Sequence, residues 1–213
     1  MTTTIYDTIY PRFKKHLTPK ELERNFTPTT IEIELMKTQT LSTSPKTQAG
    51  FMITLKCYQC MGRAVHIKKV PIPIKEHILK SLGEDPSKLL ISSMRDYDNS
   101  KSRKRHIQVI RDYLKVSANK QLRKLCMKKM ALQSAAVKEN LADIINDILE
   151  ELVKENFEFP AFTVLKRLAR AARKVATLKC IGKLQDYYQS KLKILLISYS
   201  SGLHQQNLVY GIN

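Results

Sequence analysis

The residues of this sequence best placed to do chemistry are five cations in one run, Lys166, Arg167, Arg170, Arg173 and Lys174, inside FPAFTVLKRLARAARKVA. At about 100° per residue of helix they fall within an arc of roughly 120°. Leu165, Leu168, Ala172 and Val175 fall on the other side. A helix divided in this way docks its apolar side on a core and offers its cations to phosphates or base edges. The plain alternative is a solvated basic face on a structural helix. Pro160 suits the start of this helix. The acidic segment before it, joined through EFPAF, makes a helix-turn-helix with the cationic helix second.

A second run, NSKSRKRHIQVIRDYL, has the same character. Ile107, Ile110 and Leu114 form an apolar stripe, and Lys101, Lys104, Arg105 and Arg111 lie away from it. His106 borders the stripe, where a packed histidine competes with a DNA contact.

Other chemistry finds little support. Cys57 and Cys60 form CYQC, but no second pair of ligands follows at zinc spacing, and both sulfurs fit an amphipathic helix as small apolar groups. No metal and no cofactor is expected. Nothing resembles a nucleophile elbow or a Gly-rich phosphate loop. Asp143, Asp147, Glu150 and Glu151 share one helix, which reads as a solvated face rather than a metal site. The chain is not expected to be an enzyme.

The elements that carry these residues are helices. Thr18-Pro19, Thr27-Pro28 and Ser44-Pro45 each place a capping hydroxyl before a proline at the first helical position. The third opens a helix to about Met61, ended by Gly62. Val70 to Pro73 is expected to be extended, because proline restricts its predecessor. A short helix to Leu82 follows, then one from Asp85-Pro86, then one capped by Asn99 or Ser100 and running to about Leu114. Further helices are expected over 120–136, 138–156, 161–175 and 178–197. No period-2 pattern bounded by turns appears, so the expected fold is all-α, with tandem helix-turn-helix-like DNA-binding subdomains. The expected divisions are a loose arm at 1–16, a first subdomain at 17–117, a second at 118–190 and a tail at 191–213.

The whole chain has 213 residues and a formal charge of +18, which implies an anionic partner. The charge is segregated. Residues 101–130 hold 11 basic residues and one acid, 139–158 hold seven acids and one lysine, and 160–193 hold nine basic residues and one acid. With 43% hydrophobic residues a packed core is expected. No apolar stretch is long enough to span a bilayer, so no membrane role is expected.

Five segments in order, LTPKELERNFTPT, GFMITLKCYQCMGR, VPIPIKEHILKSLGEDPSKL, SRKRHIQVIRDYL and FEFPAFTVLKRLARAAR, resemble the N-terminal region of replicative transposases of the Tn-three family. The resemblance covers about residues 17–190. It implies tandem helix-turn-helix domains of the centromere-protein-B type that bind transposon terminal inverted repeats. It also implies that catalysis belongs to an Asp-Asp-Glu domain absent from this chain. It adds Lys56 and Arg63 as candidate contacts and matches Arg103, His106 and Arg111 to recurrent basic positions. Where the family has a Gly-Tyr/Phe-Arg element, Lys115-Val116-Ser117 stands here.

The expected function is therefore sequence-specific binding of double-stranded DNA, in the cytoplasm and associated with the nucleoid. One alternative is a regulatory protein that occupies transposon ends, self-associates or pairs with full-length transposase. Another is non-specific nucleic-acid binding, which the absence of tryptophan and the scattered tyrosines disfavour.

Overall fold

Threonines start the first two helices. In α1 (Pro19–Phe26) the Thr18 hydroxyl accepts from the Glu21 amide, and the Glu21 carboxylate accepts from the Thr18 amide. The same reciprocal pair, Thr29 and Glu32, opens α2 (Thr30–Gln39). This corrects the expected start at Thr27-Pro28. A full capping box satisfies two helix-end groups at once, so it outcompetes a threonine followed by proline. Thr27 instead ends α1, and its hydroxyl meets His77 Nε2 at 2.8 Å.

The computed structural model describes residues 3–40, 44–87 and 94–209, with the side chains of 94–96 and 194–209 excepted. Helix α3 (Pro45–Met61) is buried at every residue from Ala49 to Tyr58 and forms the axis of the N-terminal lobe. Around it pack α1, α2, α4 (Ile72–Ser81), α5 (Met94–Asn99) and α6 (Lys101–Leu114). Val70 and Pro71 are extended, but Ile72 and Pro73 already belong to α4. Proline is tolerated in a first turn because its missing N–H has no acceptor there. Pro86 and Ser87 are helical, and the continuation of the helix expected there lies outside the described residues. Ser100 caps α6 by accepting from the Arg103 amide. Lys115 ends it with φ 54°, in the left-handed region that a helix stop favours.

The C-terminal lobe is a three-helix unit. Helices α7 (Lys120–Val137), α8 (Leu141–Lys154) and α9 (Phe162–Val209) pack pairwise against one another. Asn119 and Asn140 cap the first two. The two helices expected over 161–175 and 178–197 are one, because Ala176 and Thr177 carry no breaker. The only bridge between extended residues, among those described, is Ser117 with Phe157, so the fold is all-α.

Each lobe has its own apolar core. One gathers Phe51, Leu55, Tyr58, Ile74 and Ile110; the other gathers Ile144, Ile148, Leu152, Leu165 and Ala169. The lobes join where residues 156–159 reach back to the N-terminal lobe. Ser117 and Phe157 pair there, and Glu158 holds Arg111 at 2.8 Å and Arg123 at 3.7 Å. The N-terminal arm, expected to be loose, is packed on the C-terminal lobe. Tyr10 is 3% exposed, its hydroxyl donates to the Pro160 carbonyl at 2.7 Å, and its ring meets Phe162 edge-on. An aromatic residue that fills a gap in a distant core leaves no periodic trace in its own segment.

Candidate nucleic-acid interface

The cationic run lies on the first turns of α9. Leu165, Ala169 and Ala172 are buried against α7 and α8, with Leu168 and Ala176 at the margin. The docked side is thus turned by roughly 40° from the expected one, at about 100° per residue. Val175, expected in the core, is 40% exposed. The rotation sorts the five cations. Arg167, Arg170 and Lys174 are exposed, and among the described residues none of them is ion-paired. Lys166 is half-buried at the edge. Arg173 is drawn toward the core, where it donates to the Ala135 carbonyl and to Glu139, both at 3.2 Å.

Beside these cations is an open cleft of about 690 Å³, lined by Thr3, Glu139, Asn140, Arg170, Arg173 and Lys174. Asn140 caps α8, so the positive end of that helix borders the same cleft as three cations. An anion there meets positive charge from two elements. The connection from α8 to α9, residues 155–161, is longer than the expected tight turn because it also carries the bonds to the other lobe.

In the N-terminal lobe the expected contacts divide. Lys101, Lys104 and Arg105 are exposed on α6. Arg103 is not a surface cation. It donates to the Val65 carbonyl at 3.1 Å and pairs with Asp98 at 3.3 Å, while Asp98 also accepts the Ile67 and Lys68 amides. Lys56 is buried against Glu32 at 3.1 Å, and Gln59 completes the pair. His106 is 4% exposed, shares a 2.8 Å hydrogen bond with the Tyr97 hydroxyl and meets Phe51 edge-on. Burial, with Arg105 nearby, lowers its pKa to about 4, so it is neutral at pH 7. Of its two readings the packed histidine is the one seen. Arg111 is occupied by Glu158, and Arg63 sits 5.8 Å above the Tyr10 ring. These five are corrections to the expected outward-facing set. Lys56, Arg103, His106 and Arg111 sit near the polar boundary of their helices and Arg63 just beyond the end of α3, and each meets a partner that another element supplies.

Sequence reasoning passed over Lys120, Lys124, Lys128 and Lys129, all exposed on α7. Their clustering within 101–130 was the available signal.

Burial raises the Cys57 thiol pKa, and the Cys60 sulfur lies 3.8 Å from the Asn25 carbonyl. Among the described residues no three His, Cys, Asp or Glu side chains are grouped to hold a metal ion. No helix among them is long and apolar enough to cross a membrane.

Residues 3–172 match the family described as Domain of unknown function (DUF4158). The chain belongs to that family. No curated protein matches it. The DUF4158 match takes in both lobes, the packed N-terminal arm and the cationic start of α9. It stops at Ala172, before Arg173, Lys174 and the last contacts of α9 with the bundle at Ala176.

Proposed function

We propose that this DUF4158 chain binds duplex DNA through the exposed arc of α9, as the terminal-repeat-binding part of a transposase of the Tn-three kind. The carrying observation is that Arg167, Arg170 and Lys174 stand exposed and without a carboxylate partner on the third helix of a three-helix unit. In helix-turn-helix proteins that helix enters the major groove. The net charge of +18 supplies attraction to phosphate at long range. Lys101, Lys104 and Arg105 on the other lobe give a second basic surface, in keeping with a tandem arrangement. Catalysis in this reading belongs to another part of the transposase.

The test is a titration of a transposon-end duplex and a scrambled duplex over several salt concentrations. Tighter binding to the transposon end is expected. Arg170→Ala should narrow that preference, by roughly 1–3 kcal/mol if the arginine reads a base. Equal affinity for both duplexes would reduce the reading to non-specific binding. No change for the combined Lys166→Ala and Arg170→Ala variant would remove this helix from the interface.

A further inference from the structure

Helix α9 runs well past the body it packs on. From Thr177 to Lys193 every residue except Gly182 is exposed, and nothing lies within 4 Å of the place of a Gly182 β-carbon. Yet this free stretch is amphipathic. Leu178, Ile181, Leu184, Tyr188 and Leu192 are large apolar residues, each 47–62% exposed. Counted at about 100° per residue from Lys166, they fall on the same arc of roughly 120° that carries Arg167, Arg170 and Lys174. Lys179, Lys183 and Lys193 fall on the opposite side. One face of one continuous helix is thus cationic along the bundle and apolar beyond it.

We propose that this apolar face is the seam of a parallel homodimer, in which α9 pairs with α9 of a second copy. The chain's own lobes cannot cover the face. They lie on the side of Leu165, Ala169 and Ala172, roughly across the helix from it. The opposed lysines keep the like charges of two copies apart. Within the arc Thr177 stands at the base of the free stretch and Gln185 is the polar residue among the apolar ones, and a polar seam position serves to set register. The described apolar face covers about two heptads, and the helix that carries it runs on from Thr177 to Val209, about 50 Å at 1.5 Å per residue. Coiled coils hold from roughly three to four heptads, or about 30–40 Å. The parallel direction follows from the cations. An antiparallel pair centred on Gln185 sets residues 166–174 of each helix against the partner's residues 196–204. A parallel pair leaves both cationic arcs side by side at one end of the seam, as in proteins whose basic helices fork from a dimer onto DNA.

The pairing itself stands independently of the DNA reading, its parallel direction rests on that reading, and salt separates the two. An apolar seam between two strongly cationic chains holds or tightens as salt rises, whereas binding to phosphate weakens. Sedimentation equilibrium of the full chain without DNA should show a dimer at tens of micromolar. Ile181→Glu combined with Tyr188→Glu should give a monomer that still melts cooperatively, at a temperature independent of protein concentration, because both side chains are exposed in the single chain. A wild-type monomer at that concentration, or an equally dimeric double variant, overturns the proposal. Direction is read by placing Ile181→Cys in a chain carrying Cys60→Ser, Cys126→Ser and Cys180→Ser. Diamide should cross-link it, since seam positions face their own counterparts only in a parallel pair. A dimer that fails to cross-link at this position overturns the parallel arrangement. A monomer that still binds DNA removes the pairing alone, and a dimer that ignores DNA removes the DNA reading alone.

Discussion

Phe159 closes on Gly62. Its amide donates to the Gly62 carbonyl at 2.8 Å, and its ring lies 2.7 Å from where a β-carbon on residue 62 would stand. Gly62 also ends α3 in the left-handed region, so one glycine stops the central helix of one lobe and seats the other.

Gly62→Ala therefore meets two penalties. The left-handed backbone costs about 1–2 kcal/mol for an alanine, and Phe159 must move. Gly83 supplies the control, since it has φ 75° and open space around it. Chemical denaturation should show a larger loss for Gly62→Ala than for Gly83→Ala, by about 1–3 kcal/mol as for an overpacked core. Equal losses would mean that Phe159 does not press on the site.

His106 makes stability depend on acid. Burial holds its folded-state pKa near 4, below the ordinary 6.5. The unfolded chain takes up a proton first as pH falls. The contribution of the neutral ring is therefore complete above about 6.5 and is lost progressively down to about 4, to the order of 3 kcal/mol. The unfolding free energy of wild type should fall more steeply over that window than that of His106→Gln. Parallel curves would show that the ring is hydrated.

Lys56 is placed inside the protein, and its loss should act on stability rather than on DNA. Lys56→Met leaves the buried Glu32 carboxylate with Gln59 and the Thr29 amide only. Removing one member of such a pair costs about 3–5 kcal/mol. Adding Glu32→Gln should recover much of it. At a temperature where the variant is folded, its DNA affinity should equal that of wild type. A weakened affinity with unchanged stability would return Lys56 to the interface.

Arg173 and Lys174 are neighbours in sequence with different duties. Each phosphate contact removed flattens the dependence of log affinity on log salt by about 0.9. Arg167→Ala and Lys174→Ala should each show that change with little effect on melting. Arg173→Ala should lower stability, because it releases Ala135 and Glu139, and should alter the salt slope less. Salt titrations of the three variants decide it, and equal slopes in all three would reject the division.

Much of the fold is written in local sequence. Thr18 with Glu21, Ser100 with the Arg103 amide, and Gly62 at the end of α3 each fix a helix boundary through groups within four residues of each other. The periodic placement of Ile107 and Ile110, or of Leu165 and Ala172, similarly marks which side of a helix turns inward. What tertiary structure alone decided was where polar side chains at the edge of those faces go. Arg103 reaches Asp98 and Val65, Lys56 reaches Glu32, and Arg111 reaches Glu158, across as many as 47 residues. Tyr10 closes a core through a ring hydroxyl that donates to the Pro160 carbonyl, 150 residues away. Helical spacing carries the angle of a residue about its own axis. The identity of the group that meets it depends on how whole helices are rotated and stacked, and a turn of roughly 40° in α9 was enough to bury Arg173 partly and leave Arg167, Arg170 and Lys174 exposed.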